Sequence, residues 1–125
     1  RIEALYRTDD YLVVVEDDAI IAGLKPDFAA LATFDVRGVA VTAPSRHFDF
    51  VSRWFGPRVG VNEDPVTGSA HTSLAPYWAK RLGKRSLSAE QGGARKGQLH
   101  CEVADGDRVI ISGHGALYMR GTIFI

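Results

Sequence analysis

Residues suited to proton transfer and anion binding occur close together in one short stretch of the chain. Asp64 carries a carboxylate that can take up or release a proton, and Ser69 carries a hydroxyl that can donate a hydrogen bond. Pro65 restricts Asp64 to extended backbone, so no helix can begin before the proline. Thr67 and Ser69 are both helix-starting residue types, and Gly68 between them permits a turn. The sequence therefore predicts a carboxylate beside the first turn of a helix.

The first backbone amides of that helix are the second part of the candidate site. The amides of Gly68, Ser69 and Ala70 have no carbonyl partner within the helix, and the helix dipole is positive at this end. Together they predict a binding site for an anion such as a substrate carboxylate, with Asp64 at its edge. His71 lies in the same turn, where the dipole lowers the pKa of an imidazole, and is a further candidate for substrate binding.

Each of these residues also has a purely structural interpretation. An aspartate in a loop commonly accepts hydrogen bonds from nearby amides, and a serine at a helix start commonly caps the helix. A lone histidine in this position is more often a hydrogen-bonded packing residue. Thr67 is interpreted as a cap. The residues alone leave both interpretations open for Asp64, Ser69 and His71.

The motif EDPVTGSAH, followed by LAPYWAKRLGK and SAEQGGARKG, resembles the C-terminal half of the phenazine-biosynthesis (PhzF-like) isomerase family. The resemblance extends from YLVVVE near the start of the chain to GDRVIISGHGALYMRGTIFI at its end. It implies the diaminopimelate-epimerase-like fold, in which two similar halves hold the active site between them. The chain begins at Arg1 rather than Met, and we expect it to be one such half.

The resemblance also implies roles for the residues of the motif. Asp64 would line the cleft and help to handle the substrate's amino group and a proton, and Ser69 would contact the substrate. Gly68 and Ala70 would contribute backbone amides only. The resembling enzymes use a glutamate of the N-terminal half as general acid and base, without a metal or an organic cofactor. That glutamate has no counterpart in this chain, so we expect the chain alone to be inactive.

The hydrophobic pattern predicts about eight strands and one long buried helix in a single domain over residues 1–125. The predicted strands are 2–7, 11–15, 38–43, 48–55, 86–90, 98–103, 108–112 and 116–125. The long helix is predicted over 69–82, apolar almost all round, with a kink caused by Pro76 and an end at Gly83. Shorter helical segments are predicted over 19–24 and 26–33. The fold class is α+β, with a curved, barrel-like mixed sheet wrapped around one central buried helix.

Other polar residues near the motif are assigned structural roles. Consecutive side chains diverge in extended backbone, so Glu63 and Asp64 are not expected to form a paired-carboxylate site. Arg53 and Arg58 are interpreted as solvated surface residues rather than substrate ligands. Cys101 lies in a predicted strand and is interpreted as a core residue. The epimerases of the wider group carry their cysteine in the turn before the helix, so a two-thiol racemisation is disfavoured.

Residues 91–97 form a predicted glycine-rich loop with no assigned catalytic role. The loop lacks the GxxxxGK[ST] pattern that binds phosphates, so its glycines are only weak support for phosphate binding. Lys96 stands where the resembling family usually has a glycine, which predicts a locally different loop shape.

Composition excludes several classes of partner. Fifteen basic and fifteen acidic residues balance, and no basic stripe is present to bind nucleic acid. No apolar run approaches the ~20 residues required to span a membrane. The four histidines and one cysteine lack the spacing of zinc ligands, so no metal is expected. A single cysteine excludes an internal disulfide and favours a reducing compartment, and we expect the cytoplasm.

The leading functional hypothesis is one half of a cofactor-independent isomerase that shifts a proton on a small amino-carboxylate substrate. One alternative is a non-catalytic module whose helix amides bind a small anion. Another is a structural half-domain that associates with its missing half or with a second copy of the chain. Because an unpaired half exposes apolar surface, we expect a homo-oligomer, with a dimer as the simplest case.

Overall fold

One mixed sheet of eight strands forms the framework of the computed structural model, which describes residues 1–125. The strands are β1 (Ile2–Arg7), β2 (Tyr11–Val15), β3 (Val39–Pro44), β4 (Phe50–Gly56), β5 (Val61–Asp64), β6 (Ser86–Gln91), β7 (Gly97–Ala104) and β8 (Arg108–Gly113). Their order in the sheet is β1-β2-β3-β4-β6-β7-β8, and β5 pairs separately with β4. The pairs β2–β3 and β4–β6 are parallel, and the other pairs are antiparallel.

The helices are α1 (Asp18–Gly23), α2 (Phe28–Ala32) and α3 (Gly68–Leu82), and a 3-10 helix spans Pro57–Val59. The two short α-helices begin at aspartates that cap them. Asp17 accepts a hydrogen bond from the amide of Ile20, and Asp27 accepts one from Ala30, each at 3.0 Å. Helix α3 ends at Gly83, whose φ of 66° lies in the left-handed region that favours glycine. None of these helices has both the length and the apolar character needed to cross a bilayer.

Strand β4 is buried on both faces because α3 packs on one side of the sheet and α1 and α2 pack on the other. Side chains alternate along a strand, so Phe50 and Trp54 face α3 while Val51 and Phe55 face α1 and α2. The rings of Phe50 and Trp78 stack with centroids 5.7 Å apart and an interplanar angle of 5°. This stacking fixes the middle of α3 against the centre of the sheet.

The predicted α+β class is confirmed, and the core around α3 includes residues of β2, β3, β4, β6 and β7. The sheet is open, with β1 and β8 at its two edges. Helix α3 is buried along one side only, so the prediction of burial almost all round is wrong: Thr72 and Pro76 are exposed. The helix continues through Pro76. Pro76 has no amide proton and donates no hydrogen bond to the carbonyl of Thr72, which is an exposed residue.

Two segments differ from the sequence prediction. The sequence predicts a strand over 116–125, but this segment has no regular structure and its large apolar side chains are exposed, as at Tyr118 (96%). A strand needs a neighbouring strand for its backbone hydrogen bonds, and this segment has none within the chain. The sequence predicts a loop leading into the motif, where β5 lies, because Gly56, Pro57 and Gly60 are typical of loops. The strand forms because it pairs with the end of β4, with Asp64 opposite Trp54.

Leu74→Ala is expected to lower the free energy of unfolding by about 2–5 kcal/mol, because truncation leaves a cavity in the core around α3. Leu74 is 0% exposed, whereas Leu82 on the same helix is 41% exposed. Leu82→Ala is therefore the matched control and is expected to change stability by less than about 0.5 kcal/mol. Urea unfolding compares the two variants. Equal losses would contradict the placement of Leu74 in this core.

Candidate functional site

The turn between β5 and α3 holds the predicted acidic residue in a defined orientation. Asp64 is the last residue of β5 and is half-buried. Its Oδ2 accepts a hydrogen bond of 2.7 Å from the hydroxyl of Thr67. Its Oδ1 has no hydrogen-bond partner within the chain, so one oxygen of the carboxylate is held by the turn and the other is free.

Thr67 connects Asp64 to a residue of β6. Thr67 is the N-cap residue of α3, as predicted, but its side chain makes no capping hydrogen bond to the helix. Instead, its Oγ1 accepts a 2.8 Å hydrogen bond from Nε2 of Gln91, and its amide donates to Oε1 of Gln91 at 2.9 Å. Gln91 is fully buried. Sequence reasoning missed this residue because it lies 24 positions from Thr67 and is brought there by the parallel pairing of β4 with β6.

Two backbone amides at the start of α3 are free. Gly68 and Ser69 are exposed, and their amides donate no hydrogen bond within the chain. The amide of Ala70 donates to the carbonyl of Thr67 at 3.2 Å, and Ala70 is buried. The prediction of a free amide is therefore wrong for Ala70, because the first turn of the helix already closes there. The two remaining amides and the positive end of the helix dipole can still bind an anion.

Ser69 is oriented by an arginine that sequence reasoning also missed. Nη1 of Arg37 donates to Oγ of Ser69 at 2.8 Å. The same guanidinium donates through Nε and Nη2 to both oxygens of buried Asp10, at 2.9 and 2.5 Å, and this hydrogen bonding raises the pKa of Arg37. Because a guanidinium can only donate, Ser69 accepts from it and keeps its own hydroxyl proton for another partner.

Trp54 contacts both Asp10 and Arg37. Its Nε1 donates to Oδ2 of Asp10 at 3.0 Å, and the Arg37 guanidinium lies over its ring, 5.4 Å from the ring centroid. A Cβ atom at Gly38 would lie 2.3 Å from the indole, and one at Gly56 would lie 2.2 Å from it. The two glycines therefore provide the space that the ring requires.

His71 lies inside the core rather than at the exposed helix start. It is 0% exposed, and its Nδ1 lies 2.8 Å from the carbonyl of Thr67, which places the proton on Nδ1 because a carbonyl can only accept. Its ring is 5.9 Å from that of Phe50, and its Nε2 has no partner. Burial lowers the pKa of His71, and the hydrogen bond to Thr67 opposes this effect. The structure does not support the prediction that His71 binds substrate.

The prediction that Arg53 is a solvated surface residue is wrong. Arg53 is 9% exposed, and its Nε and Nη2 donate to the two oxygens of Glu63 at 2.7 and 2.8 Å. Its Nη1 donates to two backbone carbonyls at the end of α1. Glu63 therefore points to Arg53 while Asp64 points to Thr67, and the predicted divergence of the two carboxylates is confirmed. Arg58 is exposed, as predicted.

Cys101 is a core residue, as the sequence predicts. It is fully buried in the cluster around α3, and burial raises the pKa of its thiol to about 11. The thiol is therefore neutral at pH 7 and is a poor nucleophile and a poor base.

An open cleft of about 660 Å³ adjoins the start of α3. Val66 and Gly68 line one side of it, and Lys96 and Gly97 of the glycine-rich loop line another. A Cβ atom at Gly97 would lie 2.1 Å from Cγ2 of Val66, so the loop and the turn are in direct contact. Neither Asp64 nor Ser69 lines this cleft, and within the chain they lie at an exposed helix start rather than in an enclosed crevice.

Comparison with known proteins gives consistent results for sequence and structure. The PhzC-PhzF family, described as phenazine biosynthesis-like protein, matches residues 2–121. A protein of Pseudomonas aeruginosa named uncharacterized isomerase is 72% identical over 119 residues, covering 95% of this chain and 46% of that protein. A crystal structure of a PhzF-family protein from Enterococcus faecalis has a TM-score of 0.87 at 48% identity, covering 90% of this chain and 44% of that one. A putative PhzC/PhzF protein from Clostridium difficile has a TM-score of 0.88 at 40% identity, covering 97% and 47%.

The chain is therefore an α+β protein with an open mixed sheet that is similar to proteins named as isomerases. The chain belongs to the phenazine biosynthesis-like (PhzC-PhzF) family, which confirms the family resemblance of the motif around Asp64. The chain spans about half the length of the relatives that it matches.

The lowered pKa of His71 is expected to make the stability of the chain depend on pH. Below the ordinary histidine pKa of 6.5 the unfolded chain takes up a proton that the folded chain does not. The free energy of unfolding should therefore fall as the pH drops below about 6.5, and this contribution should be constant above it.

Urea unfolding at pH values of about 7.5 and 5.5 measures this dependence. His71→Gln should reduce the difference between the two pH values, whereas His114→Gln, at an exposed position, should leave it unchanged. An identical pH dependence in the native chain and in His71→Gln would contradict the assignment.

Proposed function

We propose that the chain forms one wall of the active site of an isomerase that shifts a proton on a small amino-carboxylate substrate without a cofactor. The observation that carries this proposal is the combination of the Asp64 carboxylate, the Ser69 hydroxyl and two free amides at the start of α3. Family membership supports it, since relatives are named as isomerases. The substrate would bind between this wall and a second half outside the chain.

In the proposed site the substrate carboxylate lies against the free amides of Gly68 and Ser69. The hydroxyl proton of Ser69, which is left available by the hydrogen bond from Arg37, donates to the same carboxylate. The positive end of the α3 dipole stabilises the negative charge. These groups would hold the substrate in one orientation, and orientation is itself a large part of catalysis.

Asp64 would face the amino group of the bound substrate. Its Oδ1 has no partner in the chain and can accept a hydrogen bond from an ammonium group or take up a proton. In the second half, a glutamate acting as general acid and base would shift the proton on the substrate, as the family resemblance implies. Such a carboxylate works best in a closed cleft from which water is excluded, and this chain supplies one side of that cleft.

The 125-residue chain alone is expected to catalyse no proton shift, because the exposed helix start provides only one wall. The measurement is incorporation of solvent deuterium into carbon positions of small amino-carboxylates in D₂O, followed by mass spectrometry. Robust incorporation by the purified chain would contradict the two-wall proposal.

Ligand binding distinguishes the roles of the two wall residues. Acetate and glycine both carry a carboxylate, but only glycine carries an ammonium group. Ser69→Ala is expected to weaken both ligands about 10–100-fold, since hydrogen bonds to charged groups contribute about 1.5–3 kcal/mol and each 1.4 kcal/mol is tenfold. Asp64→Asn is expected to weaken glycine and to leave acetate unchanged. Chemical shifts of the Gly68 and Ser69 amides report binding.

The same titration tests the alternative of a non-catalytic anion-binding module. That alternative predicts that Ser69→Ala weakens both ligands while Asp64→Asn affects neither, because only the amides and the hydroxyl would matter. If neither substitution changes binding, neither residue is a functional wall residue. Ser73→Ala, on the second turn of the same helix, is the matched control for Ser69→Ala.

The chain is also proposed to associate with a complementary half or with a second copy. Residues 116–125 support this proposal, because they place Leu117, Met119, Ile123 and Phe124 almost fully in solvent. Light scattering of the purified chain is expected to show self-association, and removal of residues 116–125 is expected to reduce it. A monodisperse monomer at micromolar concentration would contradict this proposal.

A further inference from the structure

The side-chain amide of Gln91 makes three hydrogen bonds to the turn that carries Asp64. Its Oε1 accepts from the amide of Thr67 at 2.9 Å. Its Nε2 donates to the carbonyl of Asp64 at 2.8 Å and to Oγ1 of Thr67 at 2.8 Å. Gln91 is 0% exposed, so no water competes for these groups. Every proton of this amide and one lone pair of its oxygen are therefore used within the turn.

The backbone fixes which end of the Gln91 amide faces which partner. The amide of Thr67 can only donate and must meet the oxygen, and the carbonyl of Asp64 can only accept and must meet the nitrogen. A flipped side chain would place two donors together and two acceptors together. The orientation thus follows from two backbone groups and needs no assumption about the amide.

This orientation sets the direction of the next hydrogen bond. Because Oγ1 of Thr67 accepts from Nε2 of Gln91, the single hydroxyl proton of Thr67 is available for Asp64 Oδ2 at 2.7 Å. Gln91 thus donates a hydrogen bond to Thr67, and Thr67 donates one to Asp64. One lone pair of Oδ2 is permanently occupied, and Oδ1 accepts nothing within the chain.

We infer that Gln91 is a positioning residue of the site, which acts through Thr67 to fix Asp64 so that Oδ1 is the oxygen that meets the ligand. This inference rests on the proposed function of Asp64. It adds that the ligand's ammonium group, or the proton that Asp64 takes up, is bound at Oδ1 and not at Oδ2. An ionised glutamate at position 91 would not serve, since it could only accept and would draw the hydroxyl proton of Thr67 away from Asp64.

Nuclear magnetic resonance of the isotopically labelled chain tests the direction of donation. In mixtures of H₂O and D₂O, a hydroxyl proton that donates to a carboxylate produces an isotope shift on the carboxylate carbon. The Cγ of Asp64 is expected to show this shift in the native chain and in Thr67→Ser, which keeps the hydroxyl. Thr67→Val, which is isosteric but has no hydroxyl, is expected to lose it. Absence of the shift in the native chain would overturn the inference.

Gln91→Glu tests the role of the amide itself. At a pH where the introduced carboxyl is ionised, as read from its own carbon shift, the isotope shift at Asp64 is expected to disappear. Its retention under that condition would overturn the inference. Amide spectra of each variant show whether the chain is folded. If Gln91→Glu does not fold, the isotope shifts of the native chain, Thr67→Ser and Thr67→Val still test the inference.

A ligand comparison separates positioning from a general loss of structure. Thr67→Val and Gln91→Glu are expected to abolish the preference for glycine over acetate, and Thr67→Ser is expected to retain it. A purely structural role would weaken both ligands equally, and that result would overturn the inference. If Asp64→Asn leaves glycine binding unchanged while the isotope shift is present, the proposed function of Asp64 fails but the hydrogen-bond direction stands. If Asp64→Asn weakens glycine binding but the isotope shift is absent, the positioning role of Gln91 is rejected while the proposed function of Asp64 stands.

Discussion

The turn between β5 and α3 is held by one buried side-chain amide, that of Gln91. A backbone polar group that is removed from water must find a partner, and the amide of Thr67 and the carbonyl of Asp64 find theirs in the side chain of Gln91. Pro65 can donate no hydrogen bond, and α3 is not capped by a side chain. The site is therefore held from the sheet, through β6, rather than by the helix that it precedes.

A second set of contacts holds the other side of the helix start. Buried Asp10 accepts hydrogen bonds from Arg37 and Trp54, and Arg37 also donates one to the hydroxyl of Ser69. One network comes from Gln91 of β6 and the other from Asp10 and from Trp54 of β4, so the two wall residues are held by different side chains. Between them the first two amides of α3 remain exposed. The side-chain groups that hold Asp64 and Ser69 are thus hydrogen-bonded, and the free groups at the helix start are ones that can face a ligand.

Local chemistry explains what the sequence could predict. Pro65 and the small residues after it limit where a helix can begin, and the helix starts at Gly68, one residue before the predicted position. Apart from β5, the strands away from the chain end follow the hydrophobic pattern closely. Gln91, Arg37 and the free segment 116–125 could not be predicted in the same way. Their environments depend on which strands are neighbours in the sheet, and nothing in the local pattern specifies those neighbours.

The position of Trp54 has a practical consequence for spectroscopy. Both tryptophans are buried in the core, but only Trp54 shares the Asp10 carboxylate with the arginine that contacts Ser69. A change in the charge next to Ser69 alters the electric field at that indole through a chain of three contacts. The emission wavelength of Trp54 is therefore expected to respond to occupancy at the helix start, and in Trp78→Phe it would be the only indole emission.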